Sequence, residues 1–371
     1  MRSQRFAYVD LIRGISALVI LVTHYHLLFA RDVDVGRTDA ALPFDIWLWP
    51  IYDHGGIAVK MFWILSGFVF AVAYGEQGKS LDQRAFWLHR FARLYPLHFA
   101  TLCLVALLQA VSVQINGGWI IEGNNDWPHF VLQLFLASNW FTMEGSFNSP
   151  IWSVSAEVLV YLMFATFLAK GGMSLRWAIL LSLVGLAIRI ATANPVSLCM
   201  ALFFAGVAVA IVVPILQRLF GSGLVPLAAA ALAGAVAVGV AINAAGHGEW
   251  VPEAMIYLGT PAVLILFVSL DLNCRPLSPR LNWIGGITYS VYLLHFPALI
   301  ALRLAFGDGL APSPLTLFAY MAMVIAASLA THRWFEMPAQ RFIRQRLARP
   351  AAMPAPLPPI SPQPACLAER S

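Results

Sequence analysis

The sequence predicts an all-α integral membrane protein of about ten transmembrane helices, with both termini in the cytoplasm. Three observations carry that expectation. Hydrophobic residues make up 60% of the 371 residues and charged residues 11%, against about 25% charged in a soluble domain. A soluble fold of this size has too little interior to hide so much apolar surface. Ten segments are long and apolar enough to span a bilayer, which takes about 20 residues. They lie near 8–29, 55–75, 95–113, 150–169, 177–193, 198–217, 224–243, 254–271, 283–305 and 315–335. With the N-terminus placed inside and the spans alternated, seventeen Lys and Arg fall on the cytoplasmic side and three outside, a strong positive-inside bias.

The first span follows a basic start, Met1 to Arg5, and could be mistaken for a signal peptide. It is too long and too charged for one, since it contains Asp10 and Arg13. Asp10 is three residues before Arg13 and can pair with it. Arg13 and His24 are eleven residues apart, so they share a helix face and stand about 16 Å apart along the axis. Two readings stay open. Asp10 and Arg13 form a structural pair while His24 bonds a neighbouring carbonyl, or these costly intramembrane groups serve a function.

The second span carries Lys60, which the sequence does not explain, and Ser66-Gly67, a small pair that permits close helix approach. Before the third span the chain reads Arg90-Phe91-Ala92-Arg93-Leu94-Tyr95-Pro96. Two arginines three apart at a helix entry can form a phosphate fork, or be ordinary positive-inside charge. The long loop Gln114 to Asn148 contains no Lys or Arg. Its short apolar piece, Phe130 to Met143, is read as interfacial or re-entrant, because counting it as a span would export every later basic loop.

The fourth span opens with Pro150, suited to a first helical turn, and repeats Ser149, Ser153, Glu157 and Tyr161 every four residues. That is a polar stripe on an apolar helix, with Trp152 beside it. Helix packing accounts for Ser153. Glu157, two turns inside the span, needs a partner or a water-filled cavity. Spans five to eight are apolar and carry no motif. The ninth places Tyr292 and His295 three apart on one face; a lone buried His is more often structural than catalytic. After the tenth span, residues 347–371 are rich in Pro and Ala and are expected to be a disordered cytoplasmic tail, leaving 1–346 as one transmembrane domain. No internal repeat is visible. Cys103, Cys199, Cys274 and Cys366 show no CxxC spacing, so neither a metal site nor a disulfide framework is expected.

Six of these segments together resemble the acyltransferase-3 family of membrane O-acyltransferases. Tyr8 to Leu18 followed by His24 resembles its opening pattern, an arginine and a histidine separated by ten residues. Phe62 to Phe68 resembles its second-helix signature, and Arg90, Arg93 and Tyr95-Pro96 its RxxR segment. Ile151 to Tyr161 is similar to its Trp-Ser-x-Ser-x-Glu helix, Tyr289 to Pro297 to its Tyr-Ser-x-Tyr-Leu-x-His segment, and His332 to Pro338 to its usual ending. Val158 stands where the family often has a second acidic residue, and Lys60 where an acidic or apolar one is common.

The resemblance implies an acyl-CoA-dependent O-acyltransferase in the bacterial inner membrane, moving an acyl group, acetyl first, to a hydroxyl of an envelope or exported glycan. It implies a stand-alone unit without the hydrolase-like domain that many members carry. A sugar hydroxyl needs a base, and histidine suits that work at neutral pH. His24 is expected to be that base, with Glu157 orienting or charge-stabilising it and Arg13 steadying the CoA arm. Arg90, Arg93 and Tyr95 are expected to bind the donor; Asp10, Ser66, Trp152, Ser153 and His295 are further candidates. No permanently bound cofactor or metal is expected. The partners are acyl-CoA, a glycan or glycolipid acceptor and membrane lipids, with no nucleic acid. The rival reading is a transporter or flippase of an envelope glycan, which would show two related halves more often than not.

Overall fold

A computed structural model describes residues 6–30, 41–75, 81–141, 144–169, 172–275, 277–278 and 281–347. The Pro/Ala-rich tail beyond Leu347, Cys366 within it, and the basic N-terminal residues lie outside the described residues. Among those described there are helices and no strand. In order they are α1 (Ala7–His24, continued by a 3-10 turn, Tyr25–Leu28), α2 (Asp45–His54), α3 (Ile57–Tyr74), α4 (Gln83–Asn116), α5 (Trp127–Leu134), α6 (Ser138–Phe141), α7 (Ile151–Ala169) and α8 (Leu175–Thr192). There follow α9 (Pro195–Phe220), α10 (Leu224–Ala244), α11 (Gly248–Asn273), α12 (Asn282–Phe306) and α13 (Pro314–Leu347). This is an all-α, multi-pass membrane protein.

Nine helical stretches among the described residues are long and apolar enough to cross a membrane. The stretch Pro195–Ala244 is 50 residues long, about 75 Å of helix, more than twice a hydrocarbon core. It is broken at Gly221, whose φ of 53° suits glycine far better than any residue with a Cβ, and so divides into α9 and α10. The expected count of about ten agrees with that division. The doubtful segment Phe130 to Met143 is not among the nine. It holds the latter part of the eight-residue α5 and the single turn α6, too short to span.

Two features depart from the sequence reading. The third span begins twelve residues before the expected 95, at Gln83, with Asp82 accepting from the Ala85 N–H as N-cap. Charge does not break a helix; it only takes this one out of the apolar layer. Arg90 and Arg93 are therefore two to three turns inside a 34-residue helix, not at its entry. The last span likewise continues past 335 as a basic, amphipathic segment to Leu347.

Without a hydrophobic drive between helices in lipid, close packing must hold the bundle. α3 and α9 achieve it through glycines: a Cβ on Gly67 would sit 1.8 Å from the Phe203 carbonyl oxygen, and one on Gly206 2.0 Å from that of Ile64. Packing thus accounts for Gly67. The adjoining core is aromatic, with Trp63, Phe68, Phe70, Phe164 and Phe203 buried. The ends of α1 are tied by other helices. Asp271 of α11 accepts from the backbone N–H groups of Tyr8 and Val9 at 2.9 and 3.0 Å, filling the role of an absent side-chain cap. Arg303 of α12 donates to the carbonyls of Leu27 and Ala30 past the other end.

Candidate active site

A cavity of about 400 Å³ lies between α1, α3, α4, α7 and α12, within the usual size of small-molecule pockets. It extends along α3 from Phe70 to Val59, about 16 Å of helix. Its polar lining comes from five helices: Asp10 and Arg13, Ser66, Arg90 and Arg93, Ser153, Glu157 and Tyr161, and Thr288, Tyr289 and Tyr292. Residues that stood far apart in the sequence thus meet in one chamber, and the stripe Ser153–Glu157–Tyr161 lies along a single wall.

Each charge in the chamber is held in place. Arg13 pairs with Asp10 at 3.3 Å, as the spacing predicted, and α12 comes so close here that a Cβ on Gly285 would lie 2.5 Å from the Asp10 carboxylate. Arg90 lies over the Phe70 ring, 4.5 Å from its centroid, and donates to the Tyr74 hydroxyl at 3.4 Å. This cation–π seat is one a planar guanidinium fits well. Glu157 is hydrogen-bonded by Ser66 and Tyr161, with Arg90 and Arg13 as its charged neighbours.

Arg93 is placed by a residue to which sequence reasoning gave no role. Glu336 is 1% exposed. It accepts from Ser290 Oγ at 2.6 Å, His332 Nδ1 at 3.0 Å and Gln340 Nε2 at 3.0 Å, and lies 3.8 Å from an Arg93 guanidinium nitrogen. Gln340 in turn accepts from Arg344 at 3.2 Å. The segment His332–Glu336 is a π-helical bulge in α13, a feature common at functional sites. The available signal was a carboxylate near the end of a span, four residues after a histidine.

Not every candidate joins the chamber. Tyr95, on the same helix as Arg93, stacks between Phe91 and Phe99 at 4.8 and 6.2 Å. Both partners are exposed, so Tyr95 belongs to an outer aromatic column and not to the cavity lining. Trp152 packs edge-on against Trp63 at 5.5 Å. Lys60 is half-buried near the start of α3, with Arg189 and Glu253 as electrostatic neighbours, away from the lining.

His24 also stands outside the lining, and the structure does not bring Glu157 to it. The Glu157 carboxylate is committed to Ser66 and Tyr161, whereas the neighbour of His24 is His295, with ring centroids 5.0 Å apart. His24 Nδ1 bonds the Ile20 carbonyl at 3.0 Å, one of the contacts the sequence allowed. The pair lies just past the deep end of the cavity. Tyr292 is the last lining residue on α12, and its ring is 5.9 Å from that of His295. The Tyr292 hydroxyl is fixed, donating to the Pro150 carbonyl at 2.8 Å and sharing a 2.6 Å bond with Ser153 Oγ. On α1, Thr23 donates to the Ile51 carbonyl and packs on Gly55, four residues from Val59. His24 therefore sits about one helical turn beyond the chamber.

Around this point the polar groups are paired by other helices. Pro297 cannot donate, which frees the Leu293 carbonyl four residues earlier. Asn148 Nδ2 takes it at 3.3 Å and also donates to Thr101 Oγ1 at 3.0 Å. Among the described residues no group of three or more His, Cys, Asp or Glu is arranged to hold a metal ion.

The pattern of an acyltransferase domain matches residues 6–333, which spans every group described above except Glu336 and Gln340 and their partner Arg344. The chain is similar to acyltransferase MdmB of Streptomyces mycarofaciens, 32% identical over 41% of this chain and 36% of that protein. It is similar to protein 2 in the picA locus of Rhizobium radiobacter, 30% identical over 46% of this chain and 86% of that one. It is similar too to the peptidoglycan O-acetyltransferase OatA of Listeria monocytogenes, 28% identical over 45% of this chain. The matches span about a third of MdmB and a quarter of OatA. No solved structure matches the chain. With a match reaching from the first turn of α1 into the π-bulge of α13, the chain belongs to the acyltransferase-3 family of membrane acyltransferases.

Proposed function

We propose that this protein is an O-acyltransferase of the bacterial inner membrane that takes an acyl group, acetyl first, from cytoplasmic acyl-CoA and passes it to a hydroxyl of an envelope or exported glycan. The observation that carries the reading is a single chamber with three arginines and two carboxylates that stops one turn from a histidine. The positive-inside bias puts the Arg90 and Arg93 end at the cytoplasm. Those two arginines receive the phosphates of CoA. Arg13 steadies the anionic donor arm, and Glu157 balances the cationic lining. The thioester then arrives beside Tyr292, with His24 beyond as the base for the acceptor hydroxyl. OatA, a relative by sequence, is named for O-acetylation of a glycan, in keeping with that class of acceptor.

Two measurements test this. Membranes containing the protein should transfer radiolabelled acetyl from acetyl-CoA to envelope glycan, and mass spectrometry of that glycan should lose acyl groups when the gene is deleted. His24→Asn and His24→Gln should insert normally and lose transfer by about a hundredfold or more, since an amide keeps a hydrogen bond but accepts no proton near neutral pH. Unchanged glycan acylation in the deletion strain would refute the reading and favour a carrier of the glycan itself.

A further inference from the structure

We infer that His295 shares with His24 the proton removed from the acceptor hydroxyl, so that the base is a pair of imidazoles and not one. This rests on the O-acyltransferase reading and adds a second residue to it. His295 was expected to be structural, and its surroundings argue otherwise.

Both rings are held in the same tautomer by the same device. A backbone carbonyl can only accept, so the bond of His24 Nδ1 to Ile20 O at 3.0 Å places the proton on Nδ1. The bond of His295 Nδ1 to Val291 O at 3.3 Å does the same. Each bond runs back one turn along its own helix, α1 in one case and α12 in the other. In the neutral pair, both Nε2 atoms are therefore lone-pair acceptors.

His295 Nε2 is buried and has no hydrogen-bond partner, and His295 as a whole is 0% exposed. A buried polar atom without a partner is rare in a structural role, because desolvation is then uncompensated. The tilted ring of His24, 5.0 Å away, carries the complementary acceptor, and His24 Nε2 likewise makes no hydrogen bond among the described residues. In the neutral pair these two neighbouring acceptors have no donor between them. With one proton added they bind it between them, directly or through one water. The other electrostatic neighbours of the pair among the described residues are His26, on the 3-10 turn, and Tyr292 on α12. His26 Nδ1 is engaged by Thr23 O at 2.6 Å, and the Tyr292 hydroxyl by Pro150 and Ser153. Neither competes for the shared proton.

The step balances. The acceptor O–H bond breaks, and its proton goes to His24 Nε2 and is held against His295 Nε2. The oxygen forms a bond to the thioester carbonyl carbon, and the carbon–sulfur bond breaks. The departing CoA thiolate takes the proton back from the pair, giving an ester and a free thiol. Both histidines end as they began, and no oxidant or other reactant is consumed. His295 does not touch the acceptor in this scheme; it takes part by holding the transferred proton together with His24.

The experiment compares wild type, His24→Asn, His295→Asn and His295→Gln, measuring acetyl transfer from acetyl-CoA per folded protein in membranes of the deletion strain. Either amide at 295 keeps a donor for Val291 O but cannot share a proton. The expected result is a kcat about tenfold lower or less, with KM for acetyl-CoA unchanged. The acid limb of the pH–rate profile should move to lower pH, because one imidazole holds the proton less tightly than two. A merely structural His295 would lower the amount of folded protein and leave kcat and the profile per folded molecule as in wild type, which would overturn the inference. A second readout needs no turnover and no variant: nitrogen NMR of histidine-labelled wild type should show two rings titrating in coupled steps. Two independent one-step curves would overturn the pair even if every variant failed to fold. Full activity in His24→Asn would remove His24 as the base and overturn the pair, whereas wild-type membranes that move no acetyl would instead overturn the acyltransferase reading.

Discussion

Replacing Glu336 by Gln tests whether a buried carboxylate holds Arg93, the proposed donor-binding arginine, in place. The substitution keeps the shape and removes one charge from a site that is 1% exposed. The less costly orientation turns the new amide nitrogen toward Ser290, whose hydroxyl can rotate to accept, while His332 must shift its proton. The amide oxygen then stays with Gln340 and Arg93. Three hydrogen bonds to a charged acceptor become neutral ones, falling from about 1.5–3 to about 1 kcal/mol each, and the 3.8 Å ion pair with Arg93 is lost. The Arg93 and His332 side chains are 27% and 22% exposed, so solvent screens part of their share. The net loss is about 2–4 kcal/mol, near the range for breaking a buried ion pair. The assay is thermal unfolding of the purified protein in detergent, followed by KM for acyl-CoA on the folded fraction. Unfolding should come several degrees earlier, and KM should rise as Arg93 loses its anchor. Gln340→Ala, which removes one donor to the carboxylate and the acceptor for Arg344, should cost about 1.5–3 kcal/mol and leave KM unchanged. A Glu336→Gln protein that melts with wild type and keeps its KM would show that the network places nothing.

Other outcomes follow from the same packing and chemistry. Arg90→Lys should retain only part of the acyl-CoA affinity, since an ammonium cannot lie over Phe70 and fork at once; Arg84, which donates to the Leu347 carbonyl, should tolerate Ala with little change in KM. Equal sensitivity of Arg84 and Arg93 would reduce the donor site to generic charge. Gly67→Ala must push α3 off the Phe203 carbonyl and should cost about 1–3 kcal/mol or more, read as loss of folded protein; normal yield and melting would contradict the contact. Asn148→Ala uncovers the Leu293 carbonyl that Pro297 has freed and should cost about 1–3 kcal/mol, whereas removing Pro297 as well should recover part of the loss. In the outer loop, backbone and side-chain bonds from His129 hold the Asp126 carboxyl below its ordinary range. Its cap on α5 contributes above the ordinary carboxylate pKa and is lost only as pH falls through the depressed value, which amide exchange at His129 can follow.

Span positions, and the wall formed by Ser153, Glu157 and Tyr161, were legible because they depend on local periodicity. A three- or four-residue recurrence says which side chains share a face, and Asp10 with Arg13 is the same kind of local fact. What local pattern cannot say is which faces meet. Glu157 was paired with His24 on chemical grounds, yet it meets Ser66 of α3, and His24 meets His295 from the other end of the chain. Tyr95 followed Arg93 by two residues, a spacing that turns it to another side of the helix. The role of Glu336 depends on a π-bulge, which shifts the register of every later residue and leaves no clear trace in the pattern. Where α4 begins was misjudged because hydropathy marks where a helix meets lipid, not where it starts.

Tyr292 has one more consequence, which is electrical. A water-filled chamber lined with arginines and running deep into the bundle would, if continuous, short-circuit the membrane. Moving one elementary charge across is worth about 2.3 kcal/mol per 100 mV, and a continuous channel would dissipate that energy. The phenol ring, pinned by its hydroxyl to the Pro150 carbonyl and Ser153 and edged by Phe62 at 6.3 Å, divides the chamber from the histidine pair. The arginine-lined space therefore stops at a buried, doubly hydrogen-bonded ring instead of running on through the bundle, and behind that ring the pair's second imidazole is itself fully buried.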